Sequence, residues 1–162
     1  MQSLLVCLKK FSVLSIFVII LFVSFNLFAE IEKGKWNFVK DSDYCYIGSI
    51  PVETEMPEGK KRGDTYILVY RINKDPNPIV QITAGYKYKE DEPVIVQIDK
   101  KDYNFFSEED TAFTNDDKKI IYAMKMGLKL SVKGLSSRET KTADFYTLDG
   151  FTASYKKLTE DC

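Results

Sequence analysis

The sequence predicts a mainly β chain: an antiparallel β-sandwich with two short helices, clamped by one disulfide. Strand-length segments of alternating polarity recur between short polar turns, and only two stretches space their apolar residues as a helix does. Beyond the first few residues the only cysteines are Cys45 and Cys162, which bracket almost the whole folded body. About eight short strands and two short helices in one small domain fit a sandwich better than any helical layer architecture.

The chain opens on a leader. Lys9 and Lys10 form a basic region, Phe11 to Val23 is apolar apart from two serines, and Leu27-Phe28-Ala29 precedes Glu30 as a small-residue cleavage site. Residues 1–29 are therefore read as a secretory signal and 30–162 as the mature domain. A retained membrane anchor is the rival reading, because Phe11 to Phe28 nearly reaches spanning length. Removal of the leader leaves 133 residues and takes the formal net charge from −1 to −3. That length suits one domain with a proper core. In an exported chain, two cysteines read as one disulfide.

Trp36 and Phe38 alternate with polar neighbours in a first strand. Tyr44 to Ile50 follows, with Cys45 and Ile47 on one face, until Pro51 stops it. Val52 to Gly63 is rich in Glu, Lys, Pro and Gly, so an exposed loop is expected. Thr65 to Ile72 is apolar on both faces, which predicts a central strand covered on both sides. Val80, Ile82, Ala84, Tyr86 and Tyr88 share a face of the next strand, and Val94, Val96 and Ile98 a face of the one after. Tyr103 to Phe106 continues this antiparallel series beyond the Asp99–Asp102 turn.

Thr114 with Asp117 three residues later resembles a capping box, and Ile120, Ile121 and Met124 give that helix its apolar face. Leu128, Leu130 and Val132 alternate in a strand, Gly134 to Arg138 turns, and Thr140 to Thr147 returns. Asp149 is placed to cap a last helix. There Phe151, Tyr155, Leu158 and Cys162 fall on one face, so the thiol is carried inward with the packing residues.

The chain has no histidine. Ser-His-Asp and Cys-His couples, imidazole metal ligands and histidine pH switches are thereby excluded. A mildly acidic domain is also a poor nucleic-acid or anionic-lipid binder through bulk charge. The acidic clusters Glu90-Asp91-Glu92, Glu108-Glu109-Asp110 and Asp116-Asp117 sit where turns and helix starts favour acids. A carboxylate pair drawn from them is the one catalytic reading open to this chain, as a glycan hydrolase. Arg62-Gly63-Asp64 is an integrin-type tripeptide, set against its plainer role as a turn entering a strand. Lys87, Lys89, Lys129, Lys133 and Lys141 occupy outward strand positions, where lysine discourages edge pairing. Ser136, Ser137, Arg138 and Thr140 form a candidate interaction turn able to receive a carboxylate or phosphate. The plainer expectation pairs Arg138 with Asp144 or a backbone carbonyl. Tyrosines that face outward together, with Tyr44, Tyr46 and Tyr122 as candidates, would form a partner surface.

Several of these residues resemble, in order and along nearly the whole mature chain, the invasion-associated locus B family of exported bacterial proteins. The matching residues are Trp36, Cys45, Pro51, Arg62-Gly63 leading into Tyr66–Tyr70, Gly85-Tyr86-Lys87-Tyr88, Ala123-Met124 and Gly127. Val132-Lys133-Gly134, Ser136-Ser137-Arg138, Thr140, Asp144, Tyr146, Leu148-Asp149-Gly150-Phe151 and Cys162 complete the match. The resemblance implies an immunoglobulin-like sandwich, an envelope location and a Cys45–Cys162 bond, with no defined reaction. Glu139 departs from the pattern, standing where the family tends to place a glycine that would permit positive φ at no cost.

The expectation is a non-catalytic exported envelope protein, periplasmic or secreted. It is a protein-binding or structural module with an envelope or surface protein as partner, without cofactor, metal, nucleic acid or membrane insertion after cleavage. The alternatives are the paired-carboxylate hydrolase and a structural or stress-related envelope factor.

Overall fold

A computed structural model describes residues 33–72 and 75–162. The expected leader and its cleavage site lie outside them. Ten strands and two helices are found there: β1 (Asn37–Lys40), β2 (Tyr44–Ser49), β3 (Glu53–Glu55), β4 (Tyr66–Ile72), β5 (Ile79–Thr83), β6 (Val94–Ile98), β7 (Lys101–Glu108), β8 (Thr111–Phe113), α1 (Asp117–Met126), β9 (Lys129–Leu135), β10 (Lys141–Thr147) and α2 (Phe151–Glu160). The mainly β, antiparallel chain with two short helices and one disulfide is as expected. Its hydrogen bonds make one continuous curled sheet in the order β1-β2-β4-β5-β8-β7-β6-β9-β10-β3. Continuity comes from β7, which pairs with β6 through Lys101 to Phe105 and with β8 through Phe106 to Glu108.

The inward face follows strand parity. Cys45 and Ile47 of β2, Ile67 and Val69 of β4, Val80 and Ile82 of β5, Val94, Val96 and Ile98 of β6, and Leu130 and Val132 of β9 are all buried in one core. Residues i and i+2 share a face, so each strand delivers its apolar set without a register break.

Helix α2 closes this core. Phe151 and Leu158 are fully buried, and the Trp36 ring meets Phe151 edge-on at 4.8 Å. Trp36 Nε1 donates to the Thr147 carbonyl at 2.9 Å, and Ser154 Oγ donates to the Trp36 carbonyl at 2.7 Å. At the helix's C-terminal end, Arg71 donates to the Leu158 carbonyl at 3.2 Å and Lys40 to the Asp161 carbonyl at 2.7 Å. Cations suit that end, where the last carbonyls lack helical partners. The Cys45–Cys162 disulfide, with Cα atoms 5.8 Å apart, completes the attachment to β2. Helix α2 ends at Glu160, so Cys162 is not the helical residue the spacing predicts, although it still packs against the core.

Five local expectations are corrected. Thr114 does not cap α1: the N-cap is Asp116, and Asp117 instead accepts from the Val80 backbone N–H at 2.7 Å, tying the helix to β5. Burial raises the Asp117 carboxyl above its ordinary range, partly offset by that bond. Gly150, not Asp149, is the N-cap of α2, in the left-handed region at φ +79°. Leu128 precedes β9 and is exposed. The strand expected to run to Tyr88 ends at Thr83, since Gly85 turns the chain at φ +71° and a Cβ there would overlap the Gly63 carbonyl. Finally, β4 is covered on one side only. Ile67 and Val69 are buried, while the opposite face of Tyr66, Leu68, Tyr70 and Ile72 reaches solvent.

The turn between β9 and β10 carries Glu139 at φ +61°, where the resemblance pattern places glycine. A non-glycine residue there stores backbone strain. Glu139→Gly is expected to stabilise the protein by about 0.5–1 kcal/mol, raising Tm by about 2–4 °C. The exposed Lys89–Glu139 ion pair that it removes contributes little. Glu139→Ala, which removes the same pair and keeps the strain, should give no such gain in a thermal melt.

Candidate functional sites

Three arrangements bear on function: a buried ion pair, a basic cleft above it, and a tyrosine-lined groove on the outer face of the sheet.

The buried pair joins residues 82 apart in sequence. Arg62, from the loop before β4, reaches Asp144 of β10, with Nη1 donating to Oδ2 at 2.9 Å and Nη2 to Oδ1. Their side chains are only 8% and 3% exposed. Thr54 Oγ1 also donates to Asp144 at 3.0 Å, and Arg62 Nη1 to the Ala84 carbonyl at 3.3 Å. Burial lowers the guanidinium's pKa, but the hydrogen bond and charge of Asp144 outweigh this and hold it above its ordinary value. Tyr86 Oη shares a 2.6 Å hydrogen bond with Thr142 beside the pair. Burial pushes the phenols of Tyr88 and Tyr146 far up, and Asp144 adds to the rise in both.

Two sequence expectations change here. Asp144 pairs with Arg62 and not with Arg138, because Asp144 points to the buried side of β10 while Ser137, Arg138 and Glu139 are exposed. The Arg62-Gly63-Asp64 tripeptide is no displayed motif, since its arginine is buried and paired.

The candidate turn lies over this pair. Ser136, Ser137, Arg138 and Thr140 line a cleft of about 330 Å³ with Met56, Lys60, Lys61, Arg62, Gly85, Tyr86, Lys87 and Thr142. The turn is held internally by Ser136 Oγ, which accepts from the Thr140 and Arg138 backbone N–H groups at 3.0 and 3.3 Å. Ser137 N–H donates to the Lys87 carbonyl at 2.8 Å and Gly63 N–H to the Gly85 carbonyl at 2.9 Å, so the walls are joined through the backbone.

The groove follows β4. It has a volume of about 570 Å³ and is lined by Asp43, Tyr44, Tyr46, Tyr66, Leu68, Tyr70, Ile72 and Gln81. Register explains the cluster: Tyr44 sits opposite Ile72, Tyr46 opposite Tyr70, and Leu68 opposite both Gly48 and Gln81. All take the outer position of their strands. Gly48 leaves room for Leu68, as a Cβ there would stand 2.8 Å from Leu68 Cδ2. Tyr44 and Tyr46 stack with ring centroids 6.0 Å apart. Burial raises the phenol pKa of both Tyr46 and Tyr70. Of the three tyrosines named from sequence, Tyr44 and Tyr46 fall in the groove. Tyr122 is 67% exposed on α1, apart from it. Tyr66 and Tyr70 were missed as surface residues, and the two-faced apolarity of β4 was their signal.

The acidic clusters are on turns and a helix start. Glu90 and Glu109 flank Lys87, and Asp116 pairs with Lys119. Glu92 lines a cleft with Glu55, Lys133 and Lys141, and both glutamates are exposed. Lys87 and Lys89 are engaged in ion pairs, so the outward lysines make no single free stripe. Among the described residues no cluster of Cys, Asp and Glu is placed to hold a metal ion, and no helix is long and apolar enough to cross a membrane.

The fold and surfaces define a disulfide-clamped, antiparallel β protein whose surface features are a groove and a basic cleft. Residues 40–159 match the family model described as invasion associated locus B (IalB) protein. The chain belongs to that family. In structure it is similar to invasion associated protein B from Bartonella henselae, with a TM-score of 0.55 and 16% identity over 78% of this chain and 93% of that one. At that identity the likeness shows the fold alone. None of the curated proteins matches the chain in sequence.

Proposed function

We propose that this is a non-catalytic, exported envelope protein that binds a partner protein through the tyrosine groove. Residues 1–29 act as its secretory signal and 30–162 as the mature domain, delivered to the periplasm or beyond. The observation that carries this reading is the outer face of β4. Four tyrosines, a leucine and an isoleucine line an open groove over a strand of seven residues, about 20 Å long. Ile72 is 55% and Tyr44 42% exposed, a combination that favours interfaces over ordinary surface. Apolar walls with phenol donors suit an extended polypeptide carrying apolar side chains. Asp43, the one charged residue of the lining, suits a cation at one end of that segment. In this reading the curled sheet is an immunoglobulin-like sandwich in which β7 passes from one layer to the other. The absence of a buried carboxylate pair in any described cleft speaks against the hydrolase alternative.

The double variant Tyr46→Ser/Tyr70→Ser should keep the Tm and disulfide of the parent. Both proteins are recovered from the envelope fraction after cross-linking. A protein held by the parent and lost, by about 100-fold or more, with the double variant is the expected result. Equal recovery by the two would reject the groove as the interface.

A further inference from the structure

The geometry points to the basic cleft over the Arg62–Asp144 pair as a binding site for a phosphate group, free or carried on a small sugar. Five cations line the cleft (Lys60, Lys61, Arg62, Lys87 and Arg138) and no carboxylate does. Two are already compensated: Arg62 by Asp144, and Lys87 by Glu90 and Glu109. Lys60, Lys61 and Arg138 have no side-chain partner among the described residues. Three unbalanced positive charges therefore face one small concavity in a chain whose net charge is −1.

Charge count selects the ligand. A carboxylate would neutralise one of these cations, whereas a phosphate dianion can engage two or three at once, with the Arg138 fork offering bidentate geometry. The hydroxyls of Ser137 and Thr140 are further donors on the same wall. About 330 Å³ suits a phosphate with a small sugar and is too small for a macromolecular segment.

The site is also built in advance. The loop before β4 is anchored by the buried Arg62 and by the Gly63-to-Gly85 backbone bond, and the turn by Ser136 Oγ and by the Ser137-to-Lys87 bond. Lys60, Lys61 and Arg138 thus project from segments held in place, which lowers the ordering cost of binding. Asp144 neutralises the only buried cation beneath them, so an anion is drawn to the exposed three and not into the core. The cleft shares no lining residue with the tyrosine groove.

The test titrates the exported, oxidised protein at low ionic strength with inorganic phosphate, a hexose 6-phosphate, and vesicles containing phosphatidic acid, followed by calorimetry. Saturable one-to-one binding of a soluble phosphate is expected. Tighter binding of the hexose phosphate would identify a phosphorylated sugar, and equal binding free phosphate. Arg138→Ala and Lys61→Ala should each weaken it by about tenfold or more. Lys129→Ala, which removes the same charge elsewhere, should leave it within twofold. No saturable binding of either soluble phosphate, binding to vesicles alone, or equal losses in Lys129→Ala and Arg138→Ala would overturn the proposal.

Discussion

Removing the Cys45–Cys162 bond, by reduction or as the double variant Cys45→Ser/Cys162→Ser, is expected to cost about 4–5 kcal/mol of stability. The bond closes a loop of 117 residues, so the unfolded chain gains nearly the largest entropy that a single cross-link in a domain of this size can withhold. For a protein of ordinary stability that is a third or more of the total, and urea unfolding should show it as a large fall in midpoint. The loss should also have a place. Helix α2 stands between the disulfide and Trp36, the single tryptophan of the chain, and Trp36 packs edge-on against Phe151. Once Cys162 is released, Trp36 emission should shift to the red before the rest of the sheet unfolds. The packing of Phe151 and Leu158, the Ser154–Trp36 hydrogen bond and the carbonyl contacts from Arg71 and Lys40 then hold α2 without the cross-link. An unchanged midpoint would mean that packing, and not the cross-link, holds the C-terminus.

The second large effect is expected from the buried ion pair. Arg62→Ala leaves the Asp144 carboxylate with Thr54 as its one remaining side-chain donor among the described residues, in surroundings where both original partners were almost wholly covered. Breaking one side of such a pair costs about 3–5 kcal/mol, most of it the penalty of an uncompensated buried charge. Arg62→Met combined with Asp144→Leu should recover most of that loss, because no charge then remains to be solvated. A double-mutant cycle in urea would separate the two. If Arg62→Ala costs under about 1 kcal/mol, the pair behaves as an exposed one. Substitution at Arg62 also bears on the cleft, since Lys60 and Lys61 sit immediately before the residue that anchors their loop. Arg62→Ala should therefore loosen that wall as well as the fold.

How far each feature could be read in the sequence depended on its range. Strands whose apolar residues alternate over five positions, such as β6 and the stretch 128–132 that runs into β9, were legible because one buried face imposes a period of two. Cys162 was legible only in part: the spacing from Phe151 predicts that it packs on the core, but the helix stops at Glu160, two residues short of it. β3, Glu53-Thr54-Glu55, was not: all three residues are exposed and nothing alternates. It exists because its backbone pairs with β10, far along the chain. Arg62 and Asp144 were likewise beyond any local pattern, since their meeting is set by where β10 lies in the sheet.

The instructive difference is β4. Apolarity on both faces predicts burial on both sides, and that rule holds where helices or a second layer cover the sheet. Here the second face is left uncovered, and its composition belongs to a surface. Tyr66, Leu68, Tyr70 and Ile72 carry a signal that describes an interface as well as a core, and only the arrangement of the other elements decides between them. The candidate turn shows the converse. Its residues were picked out singly, and the structure adds the lysines of a loop some 75 residues earlier to make a cleft of them.

The groove is the centre of the functional account, and site-specific photo-cross-linking in the cell tests it most directly. A photoreactive phenylalanine analogue is placed at Tyr70 in the groove or at Tyr122 on α1, and both proteins are exported and irradiated. The account predicts a discrete adduct with another protein from position 70 and none from position 122. An adduct from position 122 alone, or no protein adduct from position 70, would contradict it.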